Sequence, residues 1–354
     1  MNRFAALVNI TLVLTLIVIA LGAYTRLTDA GLGCPDWPGC YGKLTAPLHD
    51  THVAEAQARF PQAQIEPHKA HNEMLHRYIA GLLGLCVLTI ALVSQWLKRF
   101  RVLSSAILLL VIFQAALGMW TVTLNLLPLV VLAHLLGGFV LFSLLALLRM
   151  DIDWHQKNQK TNISMAQTEP QLARLLPLGY VVLSVLIVQI VLGGWTSTNY
   201  AAAVCYQLPF CESGWVERFS VQSAFSLPLG HETYEYGVLP YEARMSIHVL
   251  HRMGAVFTLL VLGGFAFFCW RRAATKIMRL FTVIIAGLLL LQLTLGLINV
   301  VAKLPLLNAV AHNLVAVNLL MMMVIFLRQI YLRRILIGVP SSAVTAGENI
   351  NVNH

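Results

Sequence analysis

Charge is what this sequence has least of. Asp and Glu number 15 and Lys and Arg 24, together 11% of 354 residues, against about 25% in an ordinary soluble domain. With 58% hydrophobic residues and a mean hydropathy of +0.75, that scarcity excludes a water-soluble globular enzyme. The net charge of +9 invites a nucleic-acid reading. The basic residues, however, cap apolar segments and form no patch, so no nucleic-acid partner is expected. No stretch shows the alternation of a barrel strand.

Long apolar runs are what is there. Eight of them, at about 4–25, 72–97, 102–124, 129–149, 173–197, 243–270, 277–301 and 307–331, reach the roughly 20 residues that a helix needs to cross a bilayer. Arg3 ahead of the first run gives it the look of a signal peptide. Its counterpart at 173–197 is internal and cannot be removed, so both read as spans. The expected fold is an all-α polytopic membrane protein embedded in lipid. Its divisions are an N-terminal four-helix half (1–150), a cytoplasmic linker (151–172), a C-terminal four-helix half (173–337) and a disordered cytoplasmic tail (338–354).

Orientation follows from Lys and Arg. With a cytoplasmic N-terminus, 15 fall on inner segments, 7 on outer ones, and Arg77 and Arg252 within spans. Both termini then face the cytoplasm of a bacterial inner membrane, and the long loops 26–71 and 198–242 lie outside. Those loops carry Cys34 with Cys40 and Cys205 with Cys211, each pair six residues apart. An oxidising compartment permits two short-loop disulfides; a pair of metal-binding or redox dithiols is the rival reading. Cys86 and Cys269 read as packing residues. Trp37, Trp120, Trp195 and Trp215 read as interfacial belt residues.

The two halves repeat each other. Leu21-Gly-Ala-Tyr-Thr echoes Leu192-Gly-Gly-Trp-Thr, and Cys34/Cys40 echo Cys205/Cys211 at an offset of 171. His76-Arg77 echoes His251-Arg252 at 175, and Ala133-His134 echoes Ala311-His312 at 178. Gln114-Ala-Ala-Leu-Gly118 matches Gln292-Leu-Thr-Leu-Gly296, its amides reading as interhelical hydrogen-bonders. Four spans per half is an even number, so both halves start on one side. Two pseudosymmetric four-helix bundles are expected, related by an axis along the membrane normal.

Of 12 histidines, His76, His134, His251 and His312 occupy matched positions a short way into the four spans that enter from outside. Ionisable residues in a membrane are costly and point to function. A pair per bundle at one depth is what bis-imidazole ligation of a haem requires. The bland reading is four core histidines bonded to backbone carbonyls; a zinc or non-haem iron site lacks the Cys or carboxylate cluster it needs. No Cys-x-x-Cys-His occurs, which excludes covalent haem. The halves differ at one place: Glu73, three before His76, is matched by His248, three before His251. That inequality suggests one reactive site and one electron-relay site, although Glu73 also stands at the i, i+4 spacing of a simple ion pair with Arg77. Whether His248 is a spare ligand or a hydrogen-bond partner is open. Arg77 and Arg252 read either as candidate propionate contacts or as side chains reaching for the interface.

Taken together, Gly-Leu-Gly-Cys34-Pro-Asp-Trp-Pro-Gly-Cys40, Glu73-Met-Leu-His76-Arg77, Ala133-His134, Cys205 with Cys211, His251-Arg252 and Ala311-His312 resemble the haem A synthase family over nearly the whole chain. The resemblance implies eight helices in two bundles and oxidation of the C8 methyl of haem O to the formyl group of haem A. It further implies haem B as cofactor on His251 and His312, haem O as substrate on His76 and His134, Glu73 as the acidic residue needed for turnover, and both loop cysteine pairs as disulfides. The enzyme that makes haem O is a candidate partner, and a homo-oligomer is open. An electron donor or acceptor is required that the sequence does not name. The rival function is a di-haem b-type electron carrier with two permanent haems; a transporter with structural histidines stands behind it. About 30 residues between Cys40 and the second span depart from the family pattern; whether they cover the substrate haem, bind a partner or are an ordinary insertion is open.

Overall fold

Proline and capping residues set where the helices begin and end. Pro67 opens one long helix and Pro128 another, positions where the missing N–H costs nothing. Thr275 caps a third by accepting from the Met278 N–H. The computed structural model describes residues 2–158, 169–227 and 229–337. Among these the elements are α1 (Asn2–Leu27), α2 (Asp50–Arg59), α3 (Pro67–Leu97), α4 (Arg101–Thr123), α5 (Pro128–Asn158), α6 (Pro170–Ala173), α7 (Leu176–Thr198), α8 (Trp215–Arg218), α9 (Val221–Ala224), α10 (Tyr241–Arg272), α11 (Lys276–Val301) and α12 (Leu306–Ile337). There is no strand among the described residues.

Eight of the helices, α1, α3, α4, α5, α7, α10, α11 and α12, are long and apolar enough to cross a membrane. The chain is a multi-pass membrane protein. Leu85 is 62% exposed and Leu260 69%; such side chains are tolerable in numbers only where lipid replaces water, and helices satisfy their own backbone there. Several helices outrun the sequence boundaries. α3 starts at Pro67, five residues before the apolar run, and α5 continues to Asn158 through what reads as linker. Further along, Glu169 is buried and accepts bonds from the Ala274 and Thr275 backbone N–H groups and the Thr275 hydroxyl. It thereby ties the end of the linker to the turn between α10 and α11. The tail expected at 338–354 lies outside the described residues.

In the first half α1 packs on α3, α3 on α4, α4 on α5 and α5 back on α1; in the second α7, α10, α11 and α12 close the same ring. The halves meet through α5, α12, α1 and α7. Apolar cores fill the ends of the rings away from the long loops. One comprises Val8, Leu83, Val87, Ile90, Ile107, Leu145 and Leu148, the other Leu262, Phe265, Val317, Met323 and Phe326 among others. The matched histidines sit beyond these cores, nearer the loops. His76 is nine residues into α3, His134 six into α5, His251 ten into α10 and His312 six into α12, or about 9–15 Å along each helix.

Both long loops are folded. Cys34–Cys40 and Cys205–Cys211 are disulfides. Around the first, Tyr41, Ala46, Ala56 and Phe60 pack against Ala70 and Met74 of α3, so the stretch without a sequence assignment is a cover over that end of the helix. Trp195 corrects an expectation. It is 4% exposed and its indole N–H donates to the Ala224 carbonyl at 2.8 Å, which makes it an anchor for the second loop. A buried Trp needs such an acceptor, and only the folded loop supplies one. Trp37 and Trp120 are exposed, as a belt position requires.

Candidate haem-ligating site

Helical spacing places Glu73 and Arg77 on one face of α3, with His76 beside them. Glu73 is 5% exposed. Its Oε2 accepts the Cys34 backbone N–H at 2.7 Å and its Oε1 pairs with Arg77. The Arg77 guanidinium also donates to the carbonyls of Asp36 at 2.9 Å and Gly39 at 2.5 Å. In the second half Arg252 donates to Gln207 at 2.7 Å, to Phe210, and to Cys205 at 2.7 Å. Gln207 and Phe210 are Asp36 and Gly39 advanced by the same 171 residues. Both arginines therefore clamp a disulfide loop onto its helix.

The two clamps differ where the sequence does. Arg252 bonds the cysteine loop directly through the Cys205 carbonyl. Arg77, which also bonds its loop directly at Asp36 and Gly39, reaches the Cys34 end through Glu73, which bridges guanidinium and Cys34 N–H. His248, in the place of Glu73, is 5% exposed and its Nδ1 has no partner.

Each of the four matched imidazoles lies on a glycine of a neighbouring helix. A Cβ placed on Gly22 of α1 would stand 3.0 Å from Cε1 of His76, on Gly118 of α4 3.4 Å from His134, on Gly193 of α7 2.9 Å from His251, and on Gly296 of α11 3.2 Å from His312. Within each half the two histidines stand on helices of one ring, His76 and His134 on α3 and α5, His251 and His312 on α10 and α12. Nδ1 of His76, His134 and His312 is buried without a hydrogen-bond partner, and such a polar atom is costly unless something else engages the ring. Amides separate the halves. The Gln189 amide nitrogen lies 3.0 Å from His251 Nδ1 and donates to the His251 carbonyl, and the Gln292 nitrogen lies 3.1 Å from His312 Nε2. The matched Gln114 instead packs against Gly137, with its Nε2 unpartnered.

This donor set fits haem. It offers two imidazoles per bundle in apolar surroundings, three of the four with an unpartnered Nδ1, with no carboxylate or thiolate cluster among the described residues of the spans to favour zinc or non-haem iron. His49, His68, His71 and His231 are exposed and take no part. The seating glycines and Gln189 escape a search for metal ligands; the glycines leave a trace in the repeated Leu-Gly-Ala and Leu-Gly-Gly and in the matched motifs that end at Gly118 and Gly296.

A family model described as COX15-CtaA, cytochrome oxidase assembly protein, matches residues 5–324. A curated relative, "Heme A synthase" of Shewanella oneidensis, is 50% identical over 309 residues, covering 87% of this chain and 90% of that protein. "Protoheme IX farnesyltransferase 1" of Natronomonas pharaonis is 27% identical over 172 residues, 48% of this chain and 32% of that protein.

Proposed function

This chain belongs to the COX15-CtaA family of cytochrome oxidase assembly proteins, and from that membership we propose that it oxidises the C8 methyl of haem O to a formyl group, giving haem A. His76 and His134 hold the substrate haem O; His251 and His312 hold a resident haem B. The observation that carries the reading is the one-sided carboxylate. Glu73 is buried beside His76, and the second half has His248 in its place. A plain di-haem carrier has no use for a buried carboxylate at one site alone, and Glu73 therefore favours the enzyme.

Turning a methyl into a formyl group releases four protons, and four electrons that an external electron acceptor must take up, as one oxygen, formally from water, enters: two hydroxylations, then loss of water from the geminal diol. A resident haem on His251 and His312 supplies one-electron transfer. The protein's own residues do the rest. His76 and His134 fix the substrate iron, and hence the depth of the methyl. Glu73, held at both oxygens, meets either a proton leaving the methyl or a positive charge developing on it. The disulfide loop, packed on α3 through Tyr41 and Met74, limits water at that end. In the bilayer the folded loops face the oxidising side, where their disulfides persist, and both termini face the cytoplasm.

The test is product formation. Co-expressed with a source of haem O, the wild-type chain yields haem A and Glu73→Gln does not. Wild-type protein that binds haem O and leaves it unchanged, with an electron acceptor present, refutes the reading.

A further inference from the structure

We propose that Gly22, Gly118, Gly193 and Gly296 are positioning residues of this reaction: the space left by each missing side chain is the seat that sets one ligating imidazole. The inference rests on the reading that His76 and His134 hold the substrate haem and His251 and His312 the resident one.

Glycine is disfavoured against alanine inside a helix, so four at repeat-matched places need a reason. Close packing of spans in general is not that reason. A Cβ on Gly81, Gly264 or Gly287 would meet nothing within 4 Å, and on Gly84, Gly138 or Gly263 only contacts of 3.8–3.9 Å. Gly137, Gly179, Gly194 and Gly254 are tight as well, but against the ends of Gln114, Leu327, Leu132 and Gln189, flexible tips that swing aside. An imidazole bound to iron has no such freedom. It is tethered at its backbone on one side and at the metal on the other, and a Cβ pressing on Cε1 must tilt the ring or lift it from the iron.

The four contacts also rank. At 2.9 Å and 3.0 Å the Gly193 and Gly22 seats admit no methyl without displacing the ring. At 3.2 Å the Gly296 seat is tight, and at 3.4 Å the Gly118 seat is close to an ordinary contact. Ligand geometry tolerates about 0.5 Å, so the order of damage from alanine is Gly193 and Gly22 first, then Gly296, then Gly118. The helix pairs involved are α7 with α10, α1 with α3, α11 with α12 and α4 with α5, so each seat acts on one haem only.

The experiment uses the full chain purified in detergent, made with and without a haem O source, carrying each Gly→Ala change singly. Gly81→Ala, Gly264→Ala and Gly287→Ala serve as controls. Extracted haem per protein and the low-spin ferric EPR signal are read for every variant. Gly193→Ala is expected to weaken retention of the resident haem by about tenfold or more, or to shift its EPR signal, with captured haem O unchanged. Gly22→Ala is expected to do the converse, Gly118→Ala to have the least effect, and the controls to match wild type. Gly296→Ala, the less crowded seat of the second pair, is the second variant if Gly193→Ala does not accumulate: it shifts the resident signal and keeps the haem. Wild-type signals in both Gly193→Ala and Gly22→Ala overturn the inference, as do equal losses in the controls or equal effects on both haems. Wild-type protein with no haem overturns the functional reading, and this inference with it.

Discussion

Cys34 donates its backbone N–H to Glu73 at 2.7 Å, so the buried carboxylate of the first half is held by the disulfide loop that covers it. Its other oxygen pairs with Arg77, which grips the same loop at Asp36 and Gly39. Position 73 thus joins the loop to the span carrying His76. In the second half Arg252 grips the corresponding loop with no carboxylate in between.

Glu73→Gln keeps an oxygen for the Cys34 N–H and removes the charge. Haem A formation is expected to fall by about 10²-fold or more, the scale of a lost acid–base group, with resident haem B content unchanged. Chromatography of extracted haems measures both. Loss of haem B would mark Glu73 as a structural residue instead.

Replacing both Cys34 and Cys40 by serine frees the loop that positions Glu73. Turnover is expected to fall nearly as far as in Glu73→Gln, while the second-half haem spectrum stays at wild type. Replacing Cys205 and Cys211 is expected to disturb the resident haem in preference to substrate capture, because that pair packs on Met245 and Val249 of α10.

Ligand substitutions sort by half. His251→Ala and His312→Ala are expected to give protein without resident haem. His76→Ala and His134→Ala are expected to keep it and to lose haem O capture. Absorbance spectra of the four purified variants decide the matter; loss of both haems from every variant would contradict it.

Gln189 lies 3.0 Å from His251 Nδ1, whereas its counterpart at the 171 offset, Val18, meets His76 through its backbone only. A hydrogen bond on the ring nitrogen away from the metal fixes the ligand's tautomer and orientation. Gln189→Val is therefore expected to weaken resident haem retention by about 10–100-fold and to leave haem O capture alone, as a haem-release time course would show.

Tyr41 keeps its proton above the usual phenol value of 10.0, through burial first and then the charges of Glu73, Asp36 and Glu66. A folded value raised above the unfolded one means that Tyr41's contribution to stability is whole below the ordinary value. It is lost as pH climbs through the folded one. In an alkaline titration followed by tyrosinate absorbance, Tyr41 is expected to ionise after the exposed tyrosines. Glu73→Gln should bring it earlier.

The spans and the matched histidines were legible in the sequence because apolar length and repeat offsets are local, additive signals. What joins distant segments was not. Glu73 and Cys34 are 39 residues apart and Trp195 and Ala224 are 29 apart, and no periodicity announces either bond. Trp195 read as a belt residue because its acceptor exists only once the second loop folds. The glycine seats were visible as repeats, yet their purpose depends on which face of a neighbouring helix carries the imidazole.

The most direct test of unequal halves is the haem composition of wild-type protein purified with and without a haem O source, each haem extracted and separated by chromatography. The account predicts haem B in both preparations, with haem O or haem A in addition only where haem O was supplied. Haem B alone in both, in amounts that fill two sites, would contradict it and make the chain a di-haem carrier.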